Sequence, residues 1–121
     1  MRIFKNTWFN RFACKEGITD SELRSIVLLL EADQADANLG GGVYKVRVAR
    51  SGEGKSGGYR VIVFFKSEER TFFTYAFGKS DMSNIDFGEL QAFKADAKVN
   101  LSLTDEQIKD RLKNRTLIEI L

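Results

Sequence analysis

Apolar residues recur at helical spacing in two neighbouring stretches near the amino terminus. Residues 7–15 carry three aromatic side chains on one side, which predicts a short helix. Thr19 followed by Glu22 forms a capping box, which predicts a second helix running to about residue 32. The positions of this second helix expected to face the core are Leu23, Ile26, Val27 and Leu30.

Beyond the glycines near residue 40 the hydrophobic period changes from helical spacing to two. In residues 43–50 apolar side chains alternate with Lys45 and Arg47, which predicts a strand with one apolar and one basic face. Further strands are predicted over residues 59–66 and 70–78, and their short connections favour an antiparallel meander. The third of these strands is apolar on both faces, so we expect it to be central in the sheet.

The ends of the chain complete the pattern. Residues 2–5 predict a first strand, and a helical pattern returns from about residue 83, with its apolar stripe at Ile85, Leu90, Phe93 and Ala97. Thr104 and Gln107 form a second capping box, and residues 117–121 are a terminal strand or a docking tail. We therefore expect one α+β domain over residues 1–121. Its expected order is β-α-α-β-β-β-α-α with an optional final strand, in a mainly antiparallel twisted sheet with helices packed on one face.

The amino-acid composition excludes several kinds of metal site and catalytic site. The chain has no histidine and one cysteine, Cys14, which excludes the ordinary zinc sites and both Ser/His/Asp and Cys/His catalysis. We expect no metal and no cofactor, and we expect Cys14 to be a small buried hydrophobe. An apolar run of about 18 residues and a signal-peptide h-region are both lacking, so the expected location is cytoplasmic, without a membrane partner.

The basic residues are concentrated in one segment. Net charge is only +2, but residues 43–60 carry five bases and a single acid. Lys45 and Arg47 leave one strand face about 7 Å apart, and pairing across the next turn can add Arg60 to that face. Positive charges at this spacing suit the phosphates of a nucleic acid strand. The alternative is an ordinary sheet whose charged face is simply solvated.

The same region resembles a known family. Residues 41–49 read Gly-Gly-Val-Tyr-Lys-Val-Arg-Val-Ala, and residues 52–62 read Gly-Glu-Gly-Lys-Ser-Gly-Gly-Tyr-Arg-Val-Ile. These stretches are similar to the RelE/HigB-type toxins of bacterial type II toxin–antitoxin systems. Residues 75–80, Tyr-Ala-Phe-Gly-Lys-Ser, resemble the strand of that family that ends in an aromatic residue followed by lysine.

The resemblance implies a RelE-like fold and a ribonuclease that cuts messenger RNA on the ribosome. It also implies a cognate antitoxin, usually a helix-turn-helix DNA-binding protein. The alternatives are a ParE-like relative that poisons DNA gyrase and a non-catalytic RNA-binding module. On this interpretation the candidate catalytic residues are Lys45, Arg47, Arg60 and Lys79. The candidate RNA-binding residues are Arg50, Lys55 and Tyr75.

Overall fold

A computed structural model describes residues 1–50, 54–78 and 85–121, with side chains described for all of these except residues 50 and 54–57. The strands are β1 Arg2–Asn6, β2 Ala37–Gly40, β3 Val43–Arg50, β4 Gly54–Lys66, β5 Arg70–Gly78 and β6 Leu117–Ile120. The helices are α1 Thr7–Glu16, α2 Asp20–Glu31, α3 Phe87–Leu101 and α4 Asp105–Lys113. The protein is therefore α+β, as its sequence predicts.

All the described strands belong to one six-stranded sheet in the order β2-β3-β4-β5-β1-β6. Strands β3, β4 and β5 form the expected antiparallel meander, and β5 lies centrally between β4 and β1. β1 pairs in parallel with β5 and antiparallel with β6. The parallel pair is possible because helices and three strands separate β1 from β5, which gives the chain room to cross over.

Helices cover both faces of the sheet, which corrects the expectation that they pack on one face. Along β4, Val61 and Val63 belong to the core under α1 and α2. The alternate residues Ile62 and Phe64 belong to a second core, under α3 and α4. Because both faces of this central strand are apolar, each face needs its own layer of helix to exclude water.

The first two helices follow their sequence signals closely. Helix α1 ends at Gly17, whose φ of 73° is left-handed and suits glycine. Helix α2 begins after Thr19, whose hydroxyl accepts a hydrogen bond from the backbone nitrogen of Glu22. The four residues expected to face the core from α2 are all buried.

Two boundaries differ from the expectation, and one strand is additional to it. β4 begins at Gly54, five residues before the predicted start at residue 59. β2 was not predicted at all, because its four residues, Ala-Asn-Leu-Gly, contain no β-branched side chain and pair through a register shift. The later helix α3 starts at Phe87 behind an Asp86 capping box, and the helical pattern expected from residue 83 lies partly outside the described residues. The terminal segment forms a strand, β6, and not a docking tail.

Within residues 1–50, 54–78 and 85–121, no helix is long and apolar enough to span a membrane.

Candidate nucleic-acid interface

The cationic face is built by the β3–β4 hairpin. Arg47 and Arg60 are Cα partners across it, and Lys45 lies opposite Ile62, one alternate position further along. In an antiparallel pair directly opposed side chains leave the same face, so the two arginines and Lys45 share one side of the sheet. We call this surface, Lys45, Arg47 and Arg60, the cationic face.

Arg60 is a partly buried member of the cationic face. Its side chain is half-buried, and the Nη1 atom is buried with no hydrogen-bond partner among the described residues. Across the other side of β4, Arg60 lies opposite Phe77 of β5. A buried guanidinium nitrogen without an acceptor costs free energy in the free protein, and it is ready to donate to an anion that enters.

An acidic residue that sequence reasoning missed holds Arg47. Asp36 immediately precedes β2, and its carboxylate accepts a hydrogen bond from the backbone nitrogen of Arg47. The other carboxylate oxygen lies 3.8 Å from Nε of the same arginine. The pairing of β2 with β3 stops at Ala37 and Lys45, so Asp36 supplies the acceptor that the Arg47 N–H lacks at this open edge. No spacing rule in the sequence signals this contact.

An aromatic group adjoins the cationic face on β5. Tyr75 lies opposite Ile62, and its ring centroid is 6.3 Å from Phe77 and 6.1 Å from Phe93 of α3. Its nearest ring is that of Trp8, 4.5 Å away. Tyr75 therefore lies two strands away from Lys45, across Ile62, and its ring also joins a larger aromatic cluster.

The interpretation of Cys14 as a buried residue is wrong. Cys14 is exposed, because it lies on the outer side of α1 and not on the side that holds Phe9 and Ala13 in the core. Trp8, on the same helix, packs on Tyr75 and Phe12 and keeps 43% of its surface exposed.

The remaining candidates are described in part or not at all. Arg50 ends β3 and pairs with Gly54 at the start of β4, so the backbone of Arg50 and Lys55 belongs to the same hairpin. The side chains of both lie outside the described part of the structure. Lys79 follows the last residue of β5 and also lies outside the described residues.

The mixed sheet covered on both faces and the cationic hairpin define a small α+β protein with a basic surface on one hairpin. A family model described as the RelE toxin of the RelE/RelB toxin–antitoxin system matches residues 1–120. The chain therefore belongs to the RelE toxin family. It is the toxin of a toxin–antitoxin pair, and the family implies an antitoxin partner and a target in messenger RNA on the ribosome.

Proposed function

We propose that this toxin is a metal-independent endoribonuclease that cleaves messenger RNA on the ribosome and so inhibits translation. The observation that carries the proposal is Nη1 of Arg60, which is buried and has no hydrogen-bond partner among the described residues, in an arginine paired with Arg47 across the hairpin. Two arginines at one cross-strand pair bring many hydrogen-bond donors together, and the buried Nη1 has no acceptor among the described residues. A phosphodiester supplies both the negative charge and the acceptor oxygens that this point lacks.

RNA carries its own nucleophile, which makes histidine dispensable. The 2′-oxygen forms a bond to the adjacent phosphorus while the bond from phosphorus to the 5′-oxygen breaks. The 2′-OH proton passes to a base, and the departing 5′-oxygen takes up a proton, leaving a 2′,3′-cyclic phosphate and a 5′-OH. Arg60 and Arg47 are assigned to the extra negative charge on the phosphate oxygens in the transition state.

Lysine is assigned to proton transfer. Lys45 lies two residues from Arg47 on the same face, about 7 Å along the strand, within reach of the sugar of a phosphate held by the arginines. Lys79, just after β5, is the second candidate for this role. Arg50, Lys55 and Tyr75 are proposed to bind the RNA on either side of the cleaved bond. Neither a metal nor a cofactor is proposed.

The finer partner assignments rest on the sequence resemblance. The toxin is proposed to be a single domain of the HigB-type branch of type II systems, and its antitoxin a helix-turn-helix DNA-binding protein. The proposed location is the cytoplasm, where ribosomes present the substrate. Presentation by the ribosome compensates for the modest net charge of +2, because the RNA is already oriented when it meets the cationic face.

Induced expression without antitoxin tests the proposal. Growth and translation should stop, and primer extension should show new 5′ ends inside translated frames. Arg60→Ala and the double variant Lys45→Ala with Arg47→Ala should lose toxicity, by about a hundred- to a thousandfold in cleavage rate. Lys113→Ala, an exposed position on α4, is the control and should stay toxic.

Two results would contradict the proposal. If the variants of the cationic face fold and remain fully toxic, that face is only a solvated surface with no part in cleavage. Intact transcripts together with accumulated gyrase–DNA cleavage complexes would instead indicate a ParE-like activity.

A further inference from the structure

Trp8 is a large aromatic side chain left partly open to solvent beside the cationic face. It is the single tryptophan of the sequence and keeps 43% of its surface exposed. β1 pairs with β5 only as far as Lys5 and Phe73, and α1 begins immediately after β1. Trp8 therefore lies next to the part of β5 that follows Phe73, which β1 leaves unpaired.

Ring contacts and one strand pairing connect Trp8 to the cationic face, through Phe77, which is itself buried. Trp8 lies 4.5 Å from Tyr75, the Tyr75 ring lies 6.3 Å from Phe77, and Phe77 is the cross-strand partner of Arg60. With about 5 Å between opposed residues and about 7 Å between alternate ones, Trp8 lies roughly one to two nucleotides from a phosphate held by Arg60.

We propose that Trp8, supported by Tyr75, stacks on a base of the bound RNA close to the cleaved phosphate, an inference that rests on the proposed function. Charge selects the occupant: an exposed indole beside β5, with Arg60 on the neighbouring strand and Lys45 and Arg47 on the next, matches a nucleic acid strand, which offers bases and phosphates at regular spacing. The tilted contact with Tyr75 and the parallel contact with Phe12, at 5.5 Å and 8°, hold the indole in one orientation. A fixed ring loses little conformational entropy when a base binds.

Because Trp8 is the single tryptophan, its fluorescence reports on this contact directly. A short 2′-O-methyl RNA, which cannot be cleaved, should quench the emission of the wild-type protein. In a series of such RNAs with one abasic position each, quenching should be lost at one position near the cleavage site. Inorganic polyphosphate, which offers charge without bases, should leave the emission unchanged. Equal quenching by polyphosphate, or no quenching by RNA that binds, would overturn the stacking proposal.

Cleavage on programmed ribosomes gives the second measurement. Trp8→Leu should lower cleavage about fivefold to a hundredfold, mainly through KM, and Trp8→Phe should retain most of the activity because it keeps an aromatic face. Phe87→Leu is the matched control: this aromatic residue is 78% exposed at the start of α3 and should retain full cleavage. A thermal melt of each variant separates loss of stacking from loss of fold.

The outcomes separate this proposal from the one on which it rests. If Arg60→Ala loses cleavage while folded Trp8→Leu cleaves as the wild type does, the stacking proposal is overturned and the ribonuclease stands. If the wild-type protein does not cleave RNA, both fall. If Trp8→Leu cleaves normally but is no longer neutralised by the antitoxin, the exposed indole belongs to a protein interface, and the stacking proposal is again overturned.

Discussion

Arg47 and Arg60 are direct Cα partners across the β3–β4 hairpin, so two like charges share one position of the sheet. Like charges opposed in this way destabilise a strand pair. Among the described residues, Asp36 offsets the charge of Arg47, with a carboxylate oxygen 3.8 Å from Nε, and no ion pair is seen for Arg60. The hairpin thus retains an electrostatic cost in the free protein, which a bound phosphate would remove.

Arg60→Met should leave the protein as stable as the wild type or more so, while abolishing cleavage. The change keeps an unbranched apolar stem and removes the buried Nη1 that has no partner among the described residues. We expect a gain of up to about 1 kcal/mol, or roughly 4 °C in melting temperature.

Arg70→Met is the control for that variant. The Arg70 side chain is 16% exposed, and its guanidinium donates to the carbonyl oxygen of Leu103 at 2.7 Å. Its removal should lower the melting temperature, since it leaves a part-buried carbonyl without its donor. If Arg60→Met lowers the melting temperature as much as Arg70→Met does, the guanidinium of Arg60 stabilises the fold. The idea that it lacks a partner until a ligand binds would then be wrong.

Asp36→Asn should strengthen RNA binding. The amide oxygen still accepts from the backbone nitrogen of Arg47, so the edge of β3 is kept, but the negative charge beside Nε is gone. An exposed pair of this kind contributes up to about 1 kcal/mol, which corresponds to at most about fivefold in affinity.

The measurement for Asp36 is the affinity of a non-cleavable RNA at several salt concentrations. The gain should shrink as salt rises, because the side chain of Arg47 is half exposed and its interactions are screened. Affinity that is unchanged at low salt would show that Asp36 does not compete with phosphate for Arg47.

The sequence predicts those parts of the fold in which local pattern and tertiary packing agree. Thr19 and Thr104 cap the helices they were expected to cap, and β5 has its predicted bounds. Helices on both faces were missed because a strand pattern shows which of its sides are apolar but not which helix will cover each side. β2 was missed because its pairing partner, and not its own composition, makes it a strand.

Gly42→Ala should destabilise the protein more than Gly17→Ala does. Both glycines have left-handed backbone, with φ of 83° and 73°, so any side chain costs about 1–2 kcal/mol. Only at Gly42 would the new Cβ meet another atom, Cδ1 of Leu101 at 2.5 Å, whereas Gly17 has open space. Denaturant unfolding of the two variants measures the difference. Equal losses would show that Leu101 moves aside at no cost.

Asp20→Asn should cost more stability than Asp105→Asn. Each aspartate opens a helix directly after a threonine N-cap, so the two are matched in local structure. Asp20 accepts from Nζ of Lys5 at 3.0 Å, and the Lys5 side chain is only 9% exposed, whereas Asp105 is 93% exposed. Loss of a charged partner to a buried ammonium costs about 1.5–3 kcal/mol, towards the lower end here because Asp20 is half exposed. Urea denaturation should rank the two variants in that order, and the reverse order would contradict the role given to Lys5.

The candidate site, like the fold, could be predicted from the sequence only in part. The alternation of Lys45 and Arg47 with apolar residues placed them on one face, and the register of the hairpin adds Arg60 opposite Arg47. The contact of Asp36 with Arg47 depends on where β2 stops pairing, and the exposure of Trp8 depends on where β1 ends beside β5. Both are properties of strand lengths in three dimensions, which residue periodicity does not encode.

The position of β1 has a consequence for the toxin's own synthesis. β1 is held between β5 and β6, and Arg2 and Glu119, 117 residues apart in the chain, are joined by two hydrogen bonds of 2.9 Å. The β3–β5 meander can form from neighbouring segments, but β1 acquires its second neighbour only when β6 has emerged from the ribosome. Such distant pairing is slow to form, on a timescale of about milliseconds to seconds. The sheet is therefore incomplete until β6 has been made, and a growing chain without β6 lacks the finished fold that the cationic face belongs to.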